Sequence, residues 1–282
     1  MDDKTLRDFI LRSLSEDLGD GDHSSLACIP PEAKGNAKLL IKEEGILAGV
    51  SVAARVFSII DNDLEINILK GDGTKVTPGD IAFYIAGRQQ SILKSERLVL
   101  NIMQRMSGIA TNTSLYVDRL KGLKTKILDT RKTTPGVRFL EKEAVLIGGG
   151  LNHRMGLFDM IMLKDNHIFY AGGIRKAIEK TREYLKATNR DLKIEIEAGS
   201  LQDVYTILEV GGIDRIMLDN FTIEDTIKAV KAINGTYETE SSGGITLTTI
   251  REYAACGVDF VSVGALTHHI KSLDMSLKAM NL

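Results

Sequence analysis

The chain has 282 residues, 43% of them hydrophobic and 26% charged, with a formal net charge of −2. That length suits one large domain or two modest ones with a real core. A charge so near zero gives no general attraction to nucleic acid or to an anionic membrane surface, so any anion site must be local.

Cys28 and Cys256 stand outside any metal or redox spacing, which suits a reducing cytoplasm. The opening MDDKTLRDFILRSL is acidic and amphipathic and lacks the pattern of a secretion signal. No apolar run approaches the roughly 20 residues of a membrane helix. A cytoplasmic protein with neither a membrane nor a nucleic-acid partner is expected.

The first hundred or so residues begin with a helix, TLRDFILRSLSEDL, and the turn-rich GDGDHSS. Strand-like runs follow: NAKLLIKEE, EGILAGV, LEINILKGDGTKV and DIAFYIAGRQQ, several of them parted by turns such as GDGT and TPGD. SILKSERLVLNIMQRMSGIAT has apolar residues at helical spacing and carries the chain into a second unit.

From about residue 125 short apolar runs alternate with helical segments. The runs are KTKILDT, FDMIMLKD, LKIEIEA, DRIMLDN, TYETESSGG and DFVSVGA, and the helical partners include VRFLEKEAVLI, GIRKAIEKTREYLKA and TIEDTIKAVKAI. Strands alternating with helices indicate a parallel βα architecture. GGIDRIMLDN and CGVDFVSVGA resemble each other, as repeated βα units would. Six strands are too few for a full eight-stranded barrel, so the expectation is an open or incomplete α/β barrel. No G-x-G-x-x-G follows a strand, which leaves a dinucleotide fold unsupported.

The polar residues fall at one end of those strands. Arg131 and Lys132 follow KILDT, Lys164 follows MIML, Glu197 ends KIEIE and Asp219 ends RIML. Ser242, Gly243 and Gly244 follow YETES, and Gly264 and Ala265 follow FVSV. In parallel α/β folds the site lies at the carboxyl ends of the strands. Each residue alone also reads as a solvated loop or a helix cap. Asp219-Asn220 suits a cap, and Glu195 and Glu197 suit an exposed edge. Recurrence at six strand ends favours one crevice.

With His153 and Arg154 fed in by GGGLNHRMG, and Arg105 as a further candidate, the crevice gathers cations that repel unless polyanionic ligands compensate. The two glycine loops suit a phosphate held by backbone N–H groups. Glu197 and Asp219 suit a hydrated Mg²⁺ or a developing cation on the substrate. The five histidines show no metal spacing, and no G-x-S-x-G or calcium loop appears.

TRKTTPG and GGGLNHRMGLFDMIMLKDNHI, with EDLGDGD, QRMSGIAT, IEIE, IMLDN, SGGIT and VSVGALTH in order around them, resemble the signature blocks of the quinolinate phosphoribosyltransferase family. The resemblance spans essentially the whole chain. It implies an N-terminal α/β sandwich domain over residues 1–108, joined by the tail 269–282, and an α/β barrel over 109–268. It implies a homodimer in which Arg105 is lent across the interface. It implies Thr130, Arg131, His153, Arg154 and Lys164 on quinolinate, with Lys132 and Lys164 near the pyrophosphate of phosphoribosyl pyrophosphate (PRPP). Glu197 and Asp219 would serve ribose and Mg²⁺, and Ser242 to Gly244 with Gly264 and Ala265 the 5′-phosphate. Lys132, Lys164, Glu197 and Asp219 would carry catalysis. Ser24, Ser25, Ala198, Gly199 and His269 depart from the family pattern without removing a needed charge. The implied reaction makes nicotinate mononucleotide, CO2 and pyrophosphate. A related enzyme acting on nicotinate or another acceptor, and a non-catalytic phosphate-ligand sensor, are the alternatives.

Overall fold

The computed structural model describes residues 3–280. Two compact units are present. The first takes the chain up to Ser114, Phe139–Gly149 and the tail from His269; the second takes Leu115–Arg138 and Gly150–His268.

In the first unit, the helix Asp3–Leu18 buries Leu6, Ile10 and Leu14, the i, i+4, i+8 stripe of an amphipathic helix. A four-stranded antiparallel sheet has the spatial order Met275–Met280, Lys34–Ile41, Ile81–Arg88, Glu65–Ile68. Alternate side chains Leu39 and Ile41, with Phe83 and Ile85, are fully buried, and Phe83 meets Phe57 edge-on at 5.7 Å. Phe57 belongs to a helix, Val50–Ile60, that alternation did not reveal. Of the expected strand EGILAGV only Gly45–Ile46 forms, paired with Lys75–Val76. Gly49 then turns the chain at φ 89° to start the helix.

The helix Gln89–Arg119 holds the tail through backbone-level fit. Gln104 Nε2 donates to the Met275 carbonyl at 3.0 Å and the Leu273 amide donates to the Gln104 carbonyl at 3.0 Å. At Gly108 the two backbones come so close that a Cβ would lie 2.3 Å from the Lys271 carbonyl oxygen. Residues 139–149, read from sequence as part of the barrel, cluster here instead. Phe139 packs edge-on against Phe9 at 5.7 Å, and buried Glu141 accepts from Arg105.

The second unit is a six-stranded parallel sheet. In chain order its strands are Lys126–Leu128, Ile161–Leu163, Ile194–Ala198, Arg215–Asp219, Glu238–Ser242 and Phe260–Ser262, and their spatial order is first, sixth, fifth, fourth, third, second. Leu151 bridges to Leu128 on the free side of the first strand. Two of the βα turns are capped by hydroxyls: Ser200 and Thr222 accept from the amides of Asp203 and Asp225 at the starts of their helices. Thr222 is therefore the cap, and Asp219 is left for other work.

Pairing registers place Met162, Glu195, Arg215 and Glu238 level with one another, and Glu197, Met217 and Glu240 one step higher. The intervening Ile194, Ile196, Ile216 and Leu218 are buried on the opposite face. Glu195 and Glu197 thus lie on an internal strand; the exposed-edge alternative is excluded, since Glu195 is 0% exposed.

Gly108→Ala should destabilise the chain by about 1–3 kcal/mol, because backbone must yield to the added methyl. Urea denaturation of the two proteins measures the difference.

Candidate active site

A cavity of about 1080 Å³ opens at the carboxyl ends of the six strands, wholly within the second unit. Every residue expected at the site lines it except Arg105: Thr130, Arg131, Lys132, His153, Arg154, Lys164, Glu197, Asp219, Ser242, Gly243, Gly244, Gly264 and Ala265. Arg105 belongs to the first unit, where its Nε and Nη2 donate to Glu141 Oε1 at 2.8 and 2.6 Å.

The TRKTTPG loop is shaped from inside. Thr130 Oγ1 accepts the Lys132 amide at 3.1 Å, a hydroxyl-closed turn that puts the two cations side by side. Thr267 Oγ1, itself buried, donates to the Lys132 carbonyl at 2.8 Å and ties this loop to the one after the sixth strand. Arg138 closes the far end, donating to Thr133 Oγ1 at 2.9 Å and to the Met155 carbonyl at 3.0 Å.

Arg131 and Arg154 are close enough to feel each other. Burial first, and the Arg131 charge second, hold Arg154 below the ordinary guanidinium value. Arg154 Nη1 donates to the Met160 carbonyl at 3.1 Å, while Arg131 Nε is buried with no hydrogen-bond partner among the described residues. A buried donor left unpaired costs about 1–3 kcal/mol, and a bound oxyanion removes that cost. On the opposite wall Lys164 pairs with Glu197, whose other oxygen accepts the Asp165 amide at 3.3 Å. Asp219 accepts from Asn220 Nδ2 at 2.8 Å.

The fifth-strand loop requires its glycine. Gly243 sits at φ 96°, and a Cβ there would lie 2.1 Å from Asn220 Oδ1 and 2.9 Å from the Asn220 amide nitrogen. Asn220 takes a left-handed conformation, φ 56°, and its amide donates to the Ser242 carbonyl at 2.8 Å. Two loops thereby lock each other beside Asp219. At Gly264 a Cβ would meet His268 Nε2 at 2.8 Å and Lys132 Cδ at 3.0 Å.

Asn220, His167, His268 and Glu240 line the cavity as well and were not singled out from sequence. His268 closes the short helix after Gly264, so its signal was the turn length behind a glycine loop; His269, the departure from the family pattern, is exposed and belongs to the first unit. His167 Nδ1 accepts the Lys164 amide at 3.0 Å, three residues apart at a helix start, a spacing visible in LKDNH.

Comparison with known proteins matches the model of the quinolinate phosphoribosyl transferase C-terminal domain over residues 109–278 and that of the N-terminal domain over 22–107. The chain belongs to the quinolinate phosphoribosyltransferase family. It is 45% identical to the chloroplastic nicotinate-nucleotide pyrophosphorylase [carboxylating] of Arabidopsis thaliana, covering 97% of this chain and 82% of that one. A Synechocystis protein named probable nicotinate-nucleotide pyrophosphorylase [carboxylating] is 39% identical, over 94% of this chain and 89% of its own. The crystal structure of NadC from Streptococcus pyogenes superposes with a TM-score of 0.93 at 39% identity, covering 100% and 99% of the two chains. Human nicotinic acid phosphoribosyltransferase, at 11% identity and a TM-score of 0.64, shares the fold. The mixed α/β architecture with its six parallel strands is that of this family. No helix among the described residues is long and apolar enough to cross a membrane.

Gly243→Ala should strip the family's chemistry from this chain while the protein remains folded. The left-handed backbone strain of about 1–2 kcal/mol and the collision with Asn220 both act at the cavity wall. A near-native melting temperature with at least about tenfold lower turnover is the expected pair of readings.

Proposed function

We propose that the chain transfers the phosphoribosyl group of PRPP to quinolinate with decarboxylation, giving nicotinate mononucleotide, CO2 and pyrophosphate. The observation that carries this is the paired guanidinium groups of Arg131 and Arg154 lining one cavity, one of them with a buried unpaired Nε. Guanidinium forks match carboxylates, and an acceptor with two carboxylates answers two of them.

On this reading Arg131, Arg154 and Thr130 orient the pyridine dicarboxylate so that its ring nitrogen faces C1 of the ribose. Lys132 and Lys164 take the pyrophosphate, and the amides of Ser242–Gly244 and Gly264–Ala265 take the 5′-phosphate. The C1–oxygen bond to pyrophosphate breaks as the nitrogen–C1 bond forms, with oxocarbenium character stabilised by Glu197 or Asp219. The bond to the 2-carboxylate then breaks, its electron pair drawn toward the ring cation. CO2 leaves, and C2 takes a solvent proton.

Asp219 and Glu197 fit a hydrated Mg²⁺: both face the cavity, and Glu197, already paired with Lys164, is suited to contact through water. Bound with PRPP, the ion would offset charge on the departing pyrophosphate. Orientation and electrostatics supply the rate without a protein nucleophile.

The reading extends to a homodimer in which each first unit lends Arg105 to its partner's cleft. The pairing with Glu141 pre-orients that guanidinium. Free Cys28 and Cys256 suit a reducing compartment such as the cytoplasm; relatives in plants carry names with chloroplastic or mitochondrial location.

Purified protein with PRPP, Mg²⁺ and either quinolinate or nicotinate tests the reaction by pyrophosphate and CO2 release. Both products are expected from quinolinate alone. Pyrophosphate from nicotinate alone would reassign the acceptor, and none from either would overturn the transferase reading. Arg131→Ala and Lys164→Ala should each lower kcat/KM at least about a hundredfold, as loss of a charged contact to substrate does, with melting temperature unchanged. For the dimer, Arg105→Ala and Lys164→Ala should each be inactive alone. Mixed after co-refolding, they should regain about a quarter of wild-type activity, because random pairing of a two-fold dimer leaves that share of sites intact. No recovery would place Arg105 outside the site.

A further inference from the structure

At the cavity floor the interior of the sheet is charged. Glu195 and Glu240 are 0% exposed, His153 7% and Arg215 9%. Arg215 Nη1 donates to Glu240 Oε2 at 3.0 Å, and its Nε and Nη2 donate to Glu238 Oε2 at 3.2 and 2.9 Å. The guanidinium also stacks 4.1 Å from the Phe260 ring centroid. His153 Nε2 lies 2.9 Å from Glu195 Oε2 and 3.5 Å from Glu240 Oε2, so a proton on it faces both carboxylates.

The other ring nitrogen is held by the backbone. The His153 amide donates to buried Asp129 Oδ1 at 2.8 Å, and the Arg154 amide donates to His153 Nδ1 at 2.7 Å. A ring nitrogen that accepts an amide N–H carries no proton of its own, so the partners assign the Nε2–H tautomer. Burial disfavours a charged ring here, and the opposing hydrogen bonds and charges of Glu195 and Glu240, which raise His153, act at Nε2 and hold a proton there. A second proton would have to displace the Arg154 amide from Nδ1. The 2.7 Å contact decides for the singly protonated ring, and the carboxylates draw its one proton onto Nε2.

We propose that Glu195 and Glu240, the latter braced by Arg215, are positioning residues: they hold His153 in the Nε2–H form whose Nδ1 fixes the Arg154 amide, and so aim the Arg154 guanidinium at the acceptor carboxylate. The inference rests on the transferase reading above. His153 then acts through Arg154 as a pivot instead of serving as a cation on the substrate.

The same three side chains bring ligand atoms within 4.8 Å of one another, a spacing that could also hold a metal ion. A metal-bound Nε2 must be bare, with Nδ1–H donating outward. The Arg154 amide on Nδ1 imposes the opposite polarity, and Arg215 already supplies the positive charge. A proton takes this place.

The test uses the full chain, as wild type, Glu195→Gln and Glu240→Gln, with quinolinate binding by calorimetry and PRPP kinetics side by side. Loss of the charged acceptor should weaken quinolinate binding about ten- to a hundredfold. The KM for PRPP should move by less than about twofold. Unchanged quinolinate affinity in both variants overturns the proposal. So does an equal loss for both substrates, which would mark a merely structural role. Nitrogen NMR of the histidines in the wild type gives a reading independent of how the variants fold. A bare Nδ1 with protonated Nε2 at His153 is expected, and a doubly protonated or metal-bound ring overturns it. A wild type that releases no pyrophosphate fails the transferase reading alone, since the tautomer still decides whether the two glutamates hold the ring.

Discussion

Repulsion among Arg131, Lys132, Arg154 and Lys164 is the constraint around which the second unit is arranged. Parallel strands bring all four to one mouth, and only part of their charge is answered there, by Glu197 and Asp219. Neutralising the set completely would leave nothing for a polyanionic ligand to gain. The structure holds an intermediate balance. Lys164 is paired, Arg154 is buried beside a like charge, and Arg131 keeps a donor without a partner among the described residues. That standing cost is borne by the fold. It takes the form of a charged interior where barrels more often stack branched apolar side chains.

Much of this arrangement was legible in the chain. The six βα units and the polar residue at each strand end follow from apolar runs that stop at a charge or a glycine, and parallel topology then requires one shared mouth. Gly243 and Gly264 could be read as close-approach positions, and the neighbours that demand them, Asn220 and His268, belong to the adjoining loop and to the same turn.

What stayed hidden depended on pairing across long separations. IEIEA alternates identically whether its acidic face meets solvent or a polar interior; the choice is made by Arg215 and Glu240, which become neighbours only through the sheet order. The helix containing Phe139 and Glu141 has the periodicity of a barrel helix, yet its partners are Phe9 and Arg105. Periodicity reports that a face is buried and is silent about what buries it. Val50–Ile60 illustrates the same limit locally, since VSVAARVFSII has β-branched residues enough for a strand until Gly49 sets its start.

The charged interior and the unpaired cation at the mouth are two ends of one arrangement. Arg215 donates to Glu240, and Glu195 faces the proton of a ring whose other nitrogen anchors the Arg154 backbone. Replacing such a cluster with leucines would stabilise many cores. It would also free the segment between Leu151 and Met160 to relax, and two guanidinium groups that repel would then separate. A branched apolar layer resists compression but gives a nearby backbone amide nothing to bond. A buried carboxylate acting through an imidazole fixes both distance and direction. Polar residues in this interior therefore trade stability for the aim of a side chain that, left to its own electrostatics, would turn away from the site.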